Sequence, residues 1–433
     1  MKRGLAIVAG GALLCAVPYL AWLNPTGVDV RLAPHYTIPS MQLGVVLVVA
    51  FLAGVSVILF GLLFQTFGRW LREQWSGRRS RRDARGDAME HRGRALLWAG
   101  DGEQGRALLL RAWRRDRSRR RAVLSVVASY LDDGDNDAAE RVLLDAVDQH
   151  RTDGDLLLAL SEVCARRGDQ RRAIQTLEQL RALHPHAPRV LIPLRDRYAA
   201  VRRWREAADV QSIYLRTLNQ SPVIARERDR LVGLEYEAAL TTADPSERAQ
   251  ALTVLVDAHP AFVPALVSLG DALISANRGS EAIAAWDRAL RHTPRSVLVD
   301  CLLRQDSQPA ARQHWRQTLR KLRAPSVHPD ALQLWLTRLQ LLDGQPGEAL
   351  KQIDAVTESL RATPFAHQLR AEALRQLGRV DQAATEYAAA IVDGPVAPYV
   401  CRRCGQSAAK WTGRCPQCGE WDSYRAAVEI ATD

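Results

Sequence analysis

The sequence predicts an all-α protein. A stacked array of helix pairs is preceded by two membrane-crossing helices and followed by a small module built on four cysteines. Three observations predict this. Pro260, Pro294, Pro329 and Pro364 recur at steps of 34, 35 and 35 residues, and a period near 34 is that of a two-helix repeat. Two long stretches near the N-terminus carry no charged side chain, and two Cys-x-x-Cys-Gly knuckles with ten residues between them lie close to the C-terminus. The composition agrees. The 433 residues suffice for two or three packed units, and 47% apolar content suits a folded chain. Many Ala, Leu and Arg residues beside only 6% aromatics favour helix over sheet.

Residues 1–68 are assigned to a two-span hairpin. Leu5–Leu23 is a 19-residue apolar run and Ser40–Gly68 an uncharged stretch of 29 residues. Each can cross a hydrocarbon layer of about 30 Å at about 1.5 Å per residue. The link from Asn24 to Pro39 carries Asp29, Arg31 and three prolines, and reads as a short external loop. Lys2 and Arg3 precede the first span, and Arg69, Arg72, Arg78, Arg79, Arg81, Arg82 and Arg85 follow the second. Positive flanks stay in the cytoplasm, so both termini are expected there. A cleaved signal peptide fits less well. No small-x-small site closes the first run, Leu14 before Cys15 is a poor context for lipoprotein acylation, and a second span follows at once.

The net charge of +11 is concentrated. Between Arg69 and Arg121 there are 17 Arg against 7 acidic residues, and the remainder is nearly neutral. Placed where an apolar segment ends, this charge orients the chain and attracts anionic lipid headgroups. Residues 69–87 are accordingly a basic juxtamembrane linker, and nucleic acid is not an expected partner.

The repeats are assigned to residues 88–395. The best-formed unit runs from Val263 to Pro294. Leu266, Leu269, Gly270 and Leu273 lie on its first helix, and Ala282, Trp286 and Ala289 line one face of its second. Gly270 lets the second helix approach closely, and proline closes it. Leu157, Leu160, Ser161 and Cys164 with Ala173, Leu177, Leu180 and Pro185 make another copy. Ala371 and Leu374 with Ala383, Tyr387, Ala390 and Pro395 make a third. The pattern resembles the tetratricopeptide family, at about nine units for this length. Units 223–259 and 295–329 are degenerate. Cys164 and Cys301 fall at apolar helical positions and are expected to be packed thiols. His184 and His259 precede repeat-closing prolines and read as turn residues. There is no phosphate-binding Gly-rich loop, zinc-protease His pair or nucleophile elbow. A solenoid offers a concave groove for a protein segment instead, so the expectation is an adaptor and not an enzyme.

Residues 396–433 form the four-cysteine module. Two residues between Cys401 and Cys404, and between Cys415 and Cys418, let each pair of sulfurs reach one ion at about 2.3 Å in a tetrahedron. Gly405 and Gly419 permit the tight backbone that aims amides at the sulfurs. Four thiolates without an open position describe a structural site. Zinc is the first assignment. Iron stays open, because the knuckles resemble those of rubredoxin and spacing does not separate the two metals. Disulfides and redox dithiols fit poorly in a reducing cytosol. Trp411, Trp421 and Tyr424 are expected to pack over the module, which is too small to hold a large core without metal. The join 394–398 is short, so the module is expected to dock on the array and shape one end of its groove.

Taken in order, these parts resemble the lipopolysaccharide assembly protein B family of Gram-negative bacteria, from about residue 69 onward. The four cysteines, their ten-residue separation, Pro416 and Trp421 fit its rubredoxin-like domain. Residues 1–68 depart from its single span and resemble the two-span assembly protein A, so the chain looks like both joined. The resemblance implies a non-enzymatic inner-membrane regulator that steers a membrane AAA+ protease toward the deacetylase of the lipid A pathway. It leaves a homodimer open. A second resemblance competes. Lys410-Trp411-Thr412-Gly413-Arg414-Cys415-Pro416 through Trp421 is close to the zinc motif of the RadA/Sms DNA-repair proteins. Those carry the ribbon at the N-terminus before a P-loop, whereas this chain has it at the C-terminus and has no P-loop. A membrane-tethered tetratricopeptide scaffold for another envelope pathway is the third reading.

Overall fold

The computed structural model describes residues 84–218, 222–305, 309–322, 327–391 and 399–431, with 26–33, 36–42 and scattered positions between 19 and 61. Most of the two apolar stretches, and Cys15, lie outside the described residues. No helix among those described is long and apolar enough to cross a membrane. Between the stretches, the expected loop is instead an antiparallel ribbon of β1 (Gly27–Ala33) and β2 (Tyr36–Gln42), with Gly27 opposite Gln42 and Val30 opposite Ile38. Pro39 stands in β2, where a two-stranded ribbon tolerates its missing N–H. Strand therefore continues through Gln42, into the segment read as the second span.

The chain divides into two compact units, residues 1–134 and 135–433. The first contains the ribbon and helices α1 (84–98), α2 (Gly102–Arg115) and α3 (Arg120–Asp132). Helix α1 begins inside the stretch read as linker. Arg119 bridges Asp87, Glu90 and Asp116 at 2.7, 3.5 and 3.3 Å, and Arg106 pairs with Asp133. Part of the basic excess therefore holds this unit together.

The second unit continues the helix pairs. They are α4 (Asn136–Gln149), α5 (Gly154–Arg166), α6 (Gln170–Leu183), α7 (Pro188–Ala200) and α8 (Trp204–Thr217), then α9 (Ile224–Leu240), α10 (Pro245–Ala258), α11 (Val263–Ser275) and α12 (Gly279–His292). α13 (Ser296–Gln305), α14 (Pro309–Lys321), α15 (Pro329–Leu342), α16 (Pro346–Ala355), the single turn α17 (Glu358–Arg361), α18 (Pro364–Gln376) and α19 (Val380–Ile391) complete it. Leaving out α17, the described helices from residue 84 onward are numbered in chain order as nine successive pairs, with α1, α3 and the later odd-numbered helices through α15 as first members and α18 opening the last; α3 and α4 fall in different units and are paired by sequence order alone.

The turn between first and second helices carries the repeat most plainly, in seven of the nine. Gly100, Gly134, Gly168, Gly344 and Gly378 have φ between 70° and 88°, and Arg202 and Asn277 hold the same place at 59°. This left-handed residue ends the first helix and costs glycine nothing. An aspartate then often caps the second helix: Asp101, Asp135, Asp169 and Asp244 each accept a backbone N–H from its first turn. The prolines behave differently from expectation. Pro329 and Pro364 do not close second helices; they open the first helices α15 and α18, where a fixed φ and a missing N–H are no burden.

The expected core faces are buried. A Cβ on Gly270 would lie 2.0 Å from the Trp286 indole, whose Nε1–H donates to Leu266 O at 3.0 Å. Cys164 and Cys301 are 1% and 4% exposed, and burial pushes the Cys301 thiol up to about 12. Tyr387 departs from its consensus role; it is half-exposed and donates to Glu372 at 3.3 Å. His184 and His259 are the C-cap residues of α6 and α10.

Candidate metal centre and its seat on the repeats

Residues 399–431 fold into a three-stranded antiparallel sheet ordered β4-β3-β5, from β3 (Tyr399–Cys401), β4 (Ser407–Ala408) and β5 (Tyr424–Ala426). Two alike turns supply the sulfurs. In each, the first cysteine's N–H reaches a carbonyl five residues on, Gln406 for Cys401 and Glu420 for Cys415, at 2.9 and 2.8 Å. The glycine N–H returns to the first cysteine's carbonyl, Gly405 to Cys401 and Gly419 to Cys415, at 2.8 and 2.9 Å. Both glycines sit in the left-handed region at 74° and 72°, which closes the turn.

The knuckles meet face to face. Cys401 Sγ lies 3.7 Å from Cys418 Sγ, and Cys404 Sγ 3.7 Å from Cys415 Sγ. All four sulfurs lie within 4.8 Å of one another. Four ligands at about 2.3 Å in a tetrahedron stand about 3.8 Å apart, so the spacing fits one thiolate-bound ion. It is far too long for a disulfide, whose S–S bond is about 2.05 Å. The surroundings favour ionised sulfur at the first cysteine of each knuckle. Burial raises the Cys401 thiol. The Ser423 hydroxyl, 3.3 Å away, and the amides of Cys404 and Arg403 outweigh it, bringing the thiol down to about 6. At Cys415 burial is likewise overcome by the amides of Cys418 and Gln417. At Cys404 the Gln406 amide pulls the other way, but burial and the neighbouring sulfurs push the thiol up to about 12. Four close thiols resist shared ionisation; a cation relieves this, and one ion held by Cys401, Cys404, Cys415 and Cys418 suits the donor set.

Of the three aromatic residues expected over the module, Tyr424 lies nearest the sulfurs: it is 1% exposed, its hydroxyl 3.8 Å from Cys415 Sγ, and Trp411 packs against the cluster that contains it. Trp421 points into the repeats. A Cβ on Gly233, mid-helix in α9, would stand 2.3 Å from the Trp421 ring. The indole N–H donates to Glu237 at 3.1 Å, and the Arg414 guanidinium lies 4.8 Å over the ring. Trp411 lines a small cleft with Tyr236, Cys301 and Arg304.

The module is docked on the array, as expected, but across several repeats and not only beside the pair that precedes it. It lies on the first helices of pairs five to eight. Gly413 abuts Tyr236 and Pro264 from α9 and α11. Tyr399 donates to Asp300 of α13 at 3.0 Å. The tail beyond β5 is tied in by backbone groups. Ser296 Oγ donates to Val428 O at 3.0 Å and accepts from Ile430 N–H at 2.8 Å. Trp335 Nε1–H donates to Val428 O at 3.1 Å, and His328 N–H to Ile430 O at 2.8 Å. Ile430 is fully buried. The two units read as degenerate still contain helices, and the first of each, α9 and α13, supply Gly233, Tyr236, Glu237, Ser296 and Asp300. Their residues answer to the module as well as to the neighbouring repeat.

The comparisons with known proteins agree with this anatomy. Residues 399–425 match the LapB-type zinc ribbon, described as a rubredoxin metal binding domain, and residues 130–192 match a tetratricopeptide repeat. No curated protein matches the chain. Solved structures similar to it include a tetratricopeptide repeat protein from Parabacteroides merdae, at 11% identity and TM-score 0.31, covering 67% of this chain and 98% of that one. The TPR2AB domain of yeast Sti1 with pHSP90 has 16% identity and TM-score 0.29, covering 71% and 98%. Pseudomonas aeruginosa pilF has 18% and 0.31, covering 50% and 96%. At such scores these likenesses add nothing to the architecture described above. Fold and site define a tetratricopeptide-repeat protein with a C-terminal rubredoxin-type metal-binding module. That combination agrees with lipopolysaccharide assembly protein B. The matched segments leave out residues 1–68, so the likeness to assembly protein A rests on sequence pattern alone.

Proposed function

We propose that the protein is a non-enzymatic inner-membrane adaptor that limits lipopolysaccharide synthesis, presenting the lipid A pathway deacetylase to a membrane AAA+ protease. The observation that carries the reading is the LapB-type ribbon at 399–425, at the C-terminal end of a tetratricopeptide array. Repeat arrays act by holding protein segments. The apolar stretches within 1–68 and the arginines after them would anchor the array with both termini in the cytoplasm, raising its effective concentration toward other membrane proteins. Cys401, Cys404, Cys415 and Cys418 would hold one zinc ion, iron being the alternative, and the ion keeps the module folded on pairs five to eight.

The nucleic-acid reading loses ground on one observation. Gly413 and Trp421, within the stretch resembling the RadA/Sms motif, are taken up by Tyr236, Pro264 and Gly233 of the same chain. A membrane-tethered scaffold for another envelope complex stays as the alternative. Crosslinking in intact membranes, followed by identification of the bound proteins, separates the two. The protease and deacetylase are expected, and recovery of a different envelope complex alone would favour the alternative. A chain lacking residues 1–68 should recover far less of either partner.

A further inference from the structure

The seated module borders a cleft of about 810 Å³, within the range of about 300–1,000 Å³ usual for binding pockets. One wall is α7 and the first half of α9, with Arg226, Asp229 and Arg230. The base is the turn around His259, and the far wall is the second knuckle with Gly419 and Trp421.

Most charges around this cleft already have partners. Arg195 is held by Asp196, Gln211 and Glu227. Arg403 pairs with Glu420 at 2.7 Å, and Asp422 with Arg295 and Arg425 at 3.4 and 3.3 Å. Arg414 donates to Gly419 O at 3.0 Å and lies over both Trp204 and Trp421. Arg226 and Arg230 differ. Neither makes an ion pair or hydrogen bond among the described residues, and they stand four residues apart, on one face of α9. Asp229 beside them is also unpaired. It would repel a concentrated dianion such as phosphate. Carboxylates spaced along an extended chain can meet each guanidinium separately and avoid it. Trp421 on the far wall and the Pro260–Phe262 turn at the base offer apolar surface within the same cleft.

We infer that this cleft binds an acidic, extended segment of a partner polypeptide, with carboxylates on Arg226 and Arg230 and an apolar side chain against Trp421. The inference rests on the adaptor reading and names the chemistry of its partner. Charge-assisted pairs of this kind set both affinity and selectivity.

The test uses the full chain in detergent micelles and a fluorescein-labelled nonapeptide of alternating Glu and Leu, with its Gln counterpart, read by fluorescence anisotropy. The Glu peptide should bind about tenfold or more tightly than the Gln peptide, and weaken as salt is raised. Arg226→Glu with Arg230→Glu should lose about tenfold or more, while thermal unfolding stays unchanged because neither side chain has a partner to lose. Arg171→Glu with Arg205→Glu makes the same charge change at exposed positions of the second helices α6 and α8 and should shift binding by about twofold at most. Equal binding of the two peptides, or an equal loss in the control pair, overturns the inference. So does Arg226- and Arg230-dependent binding of phosphatidylglycerol vesicles without peptide binding. Partner capture from membranes reports separately. If capture persists while the peptide result fails, the adaptor reading stands and this surface is wrong; if capture itself fails, the adaptor reading falls.

Discussion

Gly233→Ala is a one-carbon test of how the module is seated. The added methyl would lie 2.3, 2.5 and 2.7 Å from three atoms of the Trp421 ring system. Real Cβ atoms do not approach that closely, so ring or helix must move. The ring is held by its N–H bond to Glu237 and by Arg414, so it yields only by giving up contacts. Overpacking of this kind costs about 1–3 kcal/mol. Against it stands the gain from replacing glycine by alanine in a helix interior, about 0.5–1 kcal/mol. The net expectation in the native background is destabilisation by about 1–2 kcal/mol. With Trp421→Ala the obstacle is gone, and the same substitution should stabilise α9 by up to about 1 kcal/mol. Hydrogen exchange of α9 amides in the four chains of this cycle reads the coupling directly. Gly233→Ala should speed exchange when Trp421 is present and slow it when Trp421 is absent. The same sign in both backgrounds would refute the reasoning.

Three further outcomes follow from the contacts. Cys401→Ser or Cys415→Ser should reduce bound metal from about one ion per chain to almost none and unfold residues 399–431. Pairs three and four should keep their helices, since neighbours stabilise neighbours; a metal-free but protease-resistant C-terminus would contradict the site. Ser296→Ala removes both the acceptor of Ile430 N–H and a donor to Val428 O, and should weaken seating by about 1–3 kcal/mol, seen as faster exchange at Ile430 with metal content unchanged. Glu372 is held down at about 2 by hydrogen bonds from Arg375, Gln376 and Tyr387. Its folded value lies below its unfolded one, so its contribution is complete above pH 4.5 and fades as pH falls through about 2. The pair with Arg375 is solvent-exposed, so Glu372→Gln should cost at most about 1 kcal/mol at neutral pH. That difference should vanish from α18–α19 exchange at the acid end.

The clustering of the four cysteines was legible because their chemistry is local. Two residues between thiols and a glycine after them define the knuckle without reference to the rest of the chain. The best repeat units were legible for the same reason, since Leu266, Gly270 and Trp286 lie within one helix pair. A clearer signal of the repeat lies in the turns, where Gly100, Gly134 and Gly168 recur every 34 residues. The proline ladder misled about helix ends, because a proline next to a turn can follow one helix or start the next. The seat of the module was not legible. Trp421 meets Glu237 across 184 residues of sequence and Tyr399 meets Asp300 across 99, and such contacts leave no periodicity. They surface only indirectly, as departures from the repeat consensus at 223–259 and 295–329.

The proposed role is regulation of lipopolysaccharide synthesis by this repeat array acting as an adaptor. The most direct measurement is the half-life of the lipid A pathway deacetylase in wild-type cells, in cells lacking the gene and in cells carrying Cys401→Ser. The account predicts a longer half-life and a higher lipopolysaccharide-to-phospholipid ratio in the deletion, with Cys401→Ser resembling it, because the module folds on its metal and sits on pairs five to eight. Equal half-lives in wild-type and deletion cells, with lipopolysaccharide unchanged, would contradict it.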